Sequence, residues 1–311
     1  MKIGLVLVIA EREELQRAYS YQETRQIAVQ AEAAGFDSLW LYDHMLYRGD
    51  YPTIGIWECW TFLSALAEAT HRVELGTLVA CYSFRNPALL AKMAITLDEV
   101  SQGRLVLGLG AGWNKPEFDA FGWPFDHRVD RFEEALQIIH PLLKEDRVNF
   151  EGKYYQALDC EIRPFGPRKN GPPIMIGSFG KRMLNLTAKY ADLWNTCYLG
   201  YVDTLTRPRQ ELLQACREVG RDPATLGVTV LLYVHYPSLL PLPENLDHPP
   251  ISGTPTQVAK AFLAYEQAGV QHIMVHPLPY RPESIRMLGD ALHIYRNLSE
   301  EQGQKGQPDR N

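Results

Sequence analysis

The chain has 311 residues, 46% hydrophobic, 22% charged and 11% aromatic, values that exclude a disordered, collagenous or low-complexity protein. A chain this long buries enough surface to hold a core without disulfides or a structural metal. With 31 Lys and Arg against 37 Asp and Glu, the net charge is −6, and no Lys/Arg-rich run offers a nucleic acid a basic face.

Short runs of Val, Ile and Leu alternate with longer segments of helical period. Ile3–Ile9 is a nearly continuous apolar run, met at once by Glu11-Arg12-Glu13-Glu14; it is too short for a signal segment and reads as the first strand. Glu23–Ala34 places Ile27, Ala28, Ala31 and Ala34 on one helical face, with Gly35 as the stop. Ser38–Leu41 is the second strand, Trp60–Ala69 the next helix and Val73–Val79 the third strand. Pro87–Val100 is a helix with Pro in its first turn, where the missing N–H costs nothing. Leu105–Leu109 is the fourth strand; a long Gly-rich loop and the helix Val129–Leu143 follow.

Residues 144–172 read as an irregular insertion punctuated by Gly and Pro. Ile174–Ile176 with Lys181–Tyr190 and Asp192–Asn195 with Leu205–Val219 are the fifth and sixth strand–helix units. Val228–Val234 leads through a Pro-rich excursion to Thr254–Ala268, and His272–Val275 to Pro282–Leu298. The polar tail 299–311 is expected to fray. Eight such units predict an α/β fold, a (β/α)8 TIM barrel with long loop insertions in one domain over residues 1–298; a doubly wound open sheet more often has fewer strands. No apolar stretch is long enough to span a membrane, and the five cysteines contain no CxxC pair. The cytoplasm is the expected location.

In a barrel, functional groups gather where the strands end. Strand two ends in Asp43-His44, where an imidazole could trade a proton near neutral pH beside a carboxylate. Strand four runs into Gly108-Leu109-Gly110-Ala111-Gly112-Trp113. Trp stands where a dinucleotide fingerprint needs its third Gly, so the stretch reads instead as a strand exit that lets a flat ligand approach the backbone, with Trp113 as a wall. Strand five ends in Gly177-Ser178-Phe179-Gly180 just before a helix, an anion site built from backbone N–H groups, to which Lys181 and Arg182 would add charge. His272 and His276 share a strand face without a carboxylate cluster, so no metal is expected, and His276 is placed at the pocket. Tyr47, Tyr51, Trp57, Trp60, Phe118, Phe121 and Trp123 suggest an apolar pocket for a planar small molecule.

In combination these stretches resemble the bacterial luciferase-like monooxygenase superfamily, most of all its coenzyme F420-dependent oxidoreductase branch. The likeness is carried by Ala31–His44, Leu75-Gly76-Thr77, Arg85–Lys92, Ser101–Arg104, Leu107–Trp113, Pro172–Gly177 and Ala191–Asn195. It implies a cofactor at the barrel mouth, F420 or alternatively FMN. It implies a non-prolyl cis peptide at Leu78–Val79 against the cofactor ring, with the phosphate on Gly177–Gly180. His44 would be the proton donor or acceptor, and Asp43 would orient it or bind the cofactor. A homodimer is implied, and a separate flavin reductase if the cofactor is FMN. In sugar-phosphate dehydrogenases of this superfamily a Glu stands where this chain has Trp113, and a Trp where it has Arg48. This argues against sugar-phosphate oxidation and leaves Glu117 as the nearest replacement acid. An FMN-dependent monooxygenase using FMNH2 and O2, a non-catalytic flavin-binding protein and a metal-dependent barrel hydrolase are the competing readings.

Overall fold

The computed structural model describes residues 1–49, 51–242, 246 and 248–305. Eight parallel strands follow one another in chain order: β1 (Lys2–Val6), β2 (Ser38–Leu41), β3 (Glu74–Thr77), β4 (Leu105–Gly110), β5 (Ile174–Gly177), β6 (Leu193–Cys197), β7 (Gly227–His235) and β8 (His272–Leu278). Each pairs with the next, and Ile3 opposite Ile273 joins β8 to β1 and closes the barrel. Its helices are α1 (Tyr21–Ala33), α2 (Cys59–Ala69), α3 (Pro87–Val100), α4 (Lys115–Phe121), α5 (Arg128–Lys144), α6 (Lys181–Tyr190), α7 (Thr206–Val219), α8 (Pro255–Gln267) and α9 (Pro282–Lys305). Among the described residues no helix is long and apolar enough to cross a membrane.

Local chemistry sets several boundaries. Ser20 and Glu23 form a capping box at the start of α1, and Thr254 and Gln257 do the same for α8. Asn86 caps α3 just before Pro87. Three stretches read as loops carry structure of their own. Residues 144–172 hold an antiparallel hairpin, Arg147–Glu151 against Gln156–Glu161, whose Val148 and Phe150 pack on the core while their neighbours face solvent. The Gly-rich loop contains α4, and Leu46–Tyr47 pairs with Ile54–Gly55. The last helix continues past Leu298 to Lys305, because the polar residues from Ser299 onward still lie on α8; Ser299 Oγ donates to Glu266 at 2.8 Å. Residues 306–311 of the expected tail lie outside the described residues.

Strand residues alternate between an outer core under the helices and the barrel interior. Inside, Trp40 fills the lower barrel, and glycines make room for it: a Cβ at Gly76 would sit 2.1 Å from Trp40 Cζ3, and one at Gly4 2.1 Å from Ser38 Oγ. Trp40 donates to Ser38 Oγ at 2.7 Å, leaving that hydroxyl free to donate to His272 Nε2 at 2.7 Å. Val6, Trp40, Leu78, Val106, Met175, Leu231 and Met274 pack as one interior layer. Above that layer the inward positions are only partly buried, and the recess at the C-terminal strand ends begins there.

Candidate active site

At the exit of β2, adjacent residues part company. Asp43 is buried and accepts two bonds from Arg85, at 2.7 and 3.1 Å, and one from the Cys81 N–H at 3.1 Å. Burial pushes the Asp43 carboxyl up, against the pull of Arg85. Arg85 also reaches Glu58 Oε1 at 2.5 Å. Asp43 therefore ties the β2 exit to the segment that follows β3.

That segment contains the cis peptide, at Leu78–Val79 as the resemblance implied. The chain then rejoins the sheet, with Ala80 opposite Leu109 and Cys81 opposite Gly110. Val79 lies between two glycines: a Cβ would meet its methyls at 2.7 Å from Gly110 and at 3.2 Å from Gly177.

His44 faces α4. Its Nδ1 lies 2.9 Å from Glu117 Oε2, and Glu117 is 1% exposed. Glu117 Oε1 accepts from the backbone N–H of Met45 and from that of Leu46 at 3.2 Å; Asn114 Nδ2 donates to Oε2 at 3.5 Å and to Leu46 O at 3.0 Å. The expectation that Asp43 orients His44 is thus corrected. Past the end of β2, Asp43 turns to Arg85, and a carboxylate 73 residues away takes its place beside His44. Glu117, expected as a replacement acid, is the carboxylate that holds the imidazole.

The walls are aromatic. Tyr47 lies 4.7 Å from His44 between ring centroids and Trp113 5.6 Å; Tyr47 and Trp113 stack at 28°. Trp113 is 66% exposed. The preceding Gly112, with φ +75°, abuts Cys81 and Phe118, where a Cβ would meet Sγ and Cζ at 2.7 Å each; Ala111 packs against the outer core. Of the seven aromatic residues singled out earlier, Tyr47 is the one packed against His44, tilted by 46°. Phe118 and Trp123 pack around Phe84, Phe121 stacks on Trp123, Trp57 stacks on Phe62, Trp60 lies beside Arg85, and Tyr51 is exposed.

At the β5 exit, Gly180 has φ +76°, nothing within 4 Å of its Cβ direction and no side chain capping the helix it opens. The first N–H groups of α6 therefore remain available to an anion. Ser178 Oγ is committed to Thr187 at 2.8 Å, and Phe179 is exposed. Lys181 pairs with Glu218, and Arg182 with Asp130 and Glu133. The two cations at this turn are thus paired with carboxylates, which leaves backbone N–H groups as its uncommitted donors.

The two histidines of β8 point inward. Burial pulls His272 down to about 3 and His276 to about 4. His276 Nδ1 lies 2.9 Å from Tyr42 Oη. Among the described residues no group of three or more His, Cys, Asp or Glu is arranged to hold a metal ion.

The model of the luciferase-like monooxygenase family matches residues 1–238. The chain belongs to this family. Among its relatives is the F420-dependent glucose-6-phosphate dehydrogenase of Kineococcus radiotolerans, 31% identical over 297 residues, covering 80% of this chain and 85% of that one. The enzyme of the same name from Amycolatopsis mediterranei is 38% identical over 175 residues, 53% of this chain but only 49% of that protein's length. The pyrimidine monooxygenase RutA of Pseudomonas syringae pv. syringae is 31% identical over 215 residues, 65% of this chain and 58% of its own. Among solved structures, an F420-dependent secondary alcohol dehydrogenase superposes with a TM-score of 0.79 at 20% identity, covering 95% of this chain and 99% of that one.

In this luciferase-like barrel the buried histidines set a pH dependence. The unfolded chain binds protons at both imidazoles, at an ordinary value of about 6.5, that the folded chain refuses until pH 4 or below. Their contribution is intact above about 6.5 and is lost progressively as pH falls from there through the folded values. The expected outcome is a lower melting temperature at acidic pH than at neutral pH, with a shallower decline in His272→Gln than in the parent.

Proposed function

We propose that the chain is an F420-dependent oxidoreductase that moves a hydride between the deazaflavin and a small organic substrate. The observation that carries this reading is the His44 imidazole, held by buried Glu117 at the barrel mouth beside the Leu78–Val79 segment. The F420-dependent dehydrogenases among its relatives supply the choice of cofactor. The residues present suit such a group: the uncapped start of α6 at Gly180 would take its phosphate, and Gly110 and Gly177 make room for Val79, the residue after the cis bond, which would sit against a flat ring.

The cofactor, when bound, supplies the hydride chemistry. The protein supplies geometry and a proton. For an alcohol substrate, the carbinol carbon gives up its hydride while His44 takes the hydroxyl proton, leaving a carbonyl; for a carbonyl substrate, His44 returns the proton to oxygen. Glu117 fixes the ring in the required orientation, and Trp113 and Tyr47 screen it from water.

Titration of the purified chain with F420 and with FMN tests the reading. Tight F420 binding is expected, and Gly177→Val, whose side chain must displace Val79, is expected to weaken it by at least about tenfold, roughly 1.4 kcal/mol. Unchanged affinity in that variant would remove the Gly177–Gly180 assignment. Tight FMN binding without F420 binding would instead favour a monooxygenase using FMNH2 and O2 from a separate reductase, the reading supported by the RutA relatives.

A further inference from the structure

Above the packed interior layer, four inward-facing residues from four strand ends carry neutral polar groups. Tyr42, Tyr233 and His276 each lie two residues beyond a member of that layer, namely Trp40, Leu231 and Met274, and so point to the barrel axis. Tyr198, just past β6 with φ 59°, packs against the same layer. All four are partly exposed, so the recess they bound is open to solvent.

Their side chains form a chain. His276 Nδ1 contacts Tyr42 Oη at 2.9 Å, and the Tyr233 ring meets His276 edge-on at 5.2 Å and Tyr198 face-on at 4.7 Å. Their faces are flat and paired: Tyr198 stacks on Tyr233 at 4.7 Å and 24°, and on His248 at 4.8 Å and 8°.

Of the nearby cations, Arg85 and Arg12 are committed elsewhere, and Arg48 and Arg281 face solvent. Arg85 is held by Asp43 and Glu58; Arg12, whose charge is felt at His276, stacks on Tyr19 and Tyr280 and pairs with Glu14. Burial raises the Tyr42 and Tyr198 phenols and lowers His276, so the chain of groups is uncharged at neutral pH. A phosphate drawn down among these uncharged groups would lose its hydration without a counter-charge beside it there.

We propose that this recess selects a neutral, planar, oxygen-bearing substrate, an aryl or cyclic alcohol or its ketone, stacked between aromatic faces and hydrogen-bonded by the Tyr42–Tyr198–Tyr233 hydroxyls, and that it disfavours sugar phosphates. The proposal rests on the oxidoreductase reading above and names the substrate class of the same site. It separates this chain from the relatives named for glucose 6-phosphate, in keeping with Trp113.

The test uses the full chain loaded with F420, with 1-phenylethanol, acetophenone and glucose 6-phosphate as probes. The expected result is turnover of 1-phenylethanol with kcat/KM at least about tenfold above that for glucose 6-phosphate, and quenching of tryptophan fluorescence by acetophenone but not by the sugar phosphate. Tyr198→Phe is expected to raise KM for 1-phenylethanol by about tenfold, the order of one lost hydrogen bond, with the F420 dissociation constant unchanged. Equal or better use of glucose 6-phosphate overturns the proposal. So does a failure of both aryl probes to bind, or an unchanged KM in Tyr198→Phe. If the chain binds FMN and not F420, the cofactor reading fails by itself, and acetophenone against glucose 6-phosphate in the fluorescence assay on the FMN-loaded chain still decides the substrate class.

Discussion

His44→Ala is expected to lower kcat by about 10²–10⁴-fold, the range that a positioned proton-transfer group contributes, while the cofactor dissociation constant stays within about twofold. The selectivity of this loss follows from geometry. His44 makes its polar contact to Glu117 and packs at a tilt on Tyr47 and edge-on to Trp113, so its removal leaves the β5–α6 turn and the Val79 segment in place. Glu117→Gln is expected to give a smaller loss in the same sense. The amide would set an NH2 against the N–H of Met45 or Leu46, or against His44, so one acceptor is lost wherever it turns. Single-turnover rates and cofactor titration on the two variants check this. Full turnover in His44→Ala would support a protein that binds its flavin without acting through this residue.

Arg85→Leu is expected to destabilise the fold by about 3–5 kcal/mol, the cost of leaving one partner of a buried ion pair uncompensated. The Asp43 side chain is 0% exposed and Arg85 9%, so water cannot replace the missing guanidinium. Glu58 adds less, because it is 38% exposed. Asp43 would keep the Cys81 N–H as its one remaining partner, and the segment from Leu78 to Cys81 would lose its tie to β2. Denaturant unfolding and cofactor titration are therefore expected to shift together. The double variant Asp43→Asn/Arg85→Leu is expected to recover part of the stability, since the buried charge is gone, but not the cofactor affinity. A double variant no more stable than Arg85→Leu would place the cost elsewhere.

Much of the fold was legible because local signals coincided. The bounds of β2, α3 and α6 agree with the sequence reading, where an all-apolar tetrad, an Asn-Pro start and a Gly before a helical period mark them. The hairpin at 147–161 was not read, because an alternating strand whose polar face is solvated looks like loop when Gly and Pro crowd around it. The first residues of α4 were hidden behind a Gly-rich run, although Pro116 in its first turn was a usable signal.

The site divided in the same way. Local spacing placed His44, the strand-four glycines and the Gly177–Gly180 turn at strand ends, because strand and helix periods are properties of short segments. Partnership was another matter. Glu117 for His44, Arg85 for Asp43, and Tyr42 joined to His276 span 73, 42 and 234 residues. Asp43 and His44 lie past the end of β2, where no local period fixes which way they face, and which group meets each was decided only when β8 closed on β1 and brought the strand ends around one axis. Closure also turned four separate aromatic residues into one uncharged recess. Periodicity follows from backbone geometry within a few residues; the pairing of side chains depends on which strands become neighbours, and that is a property of the whole barrel.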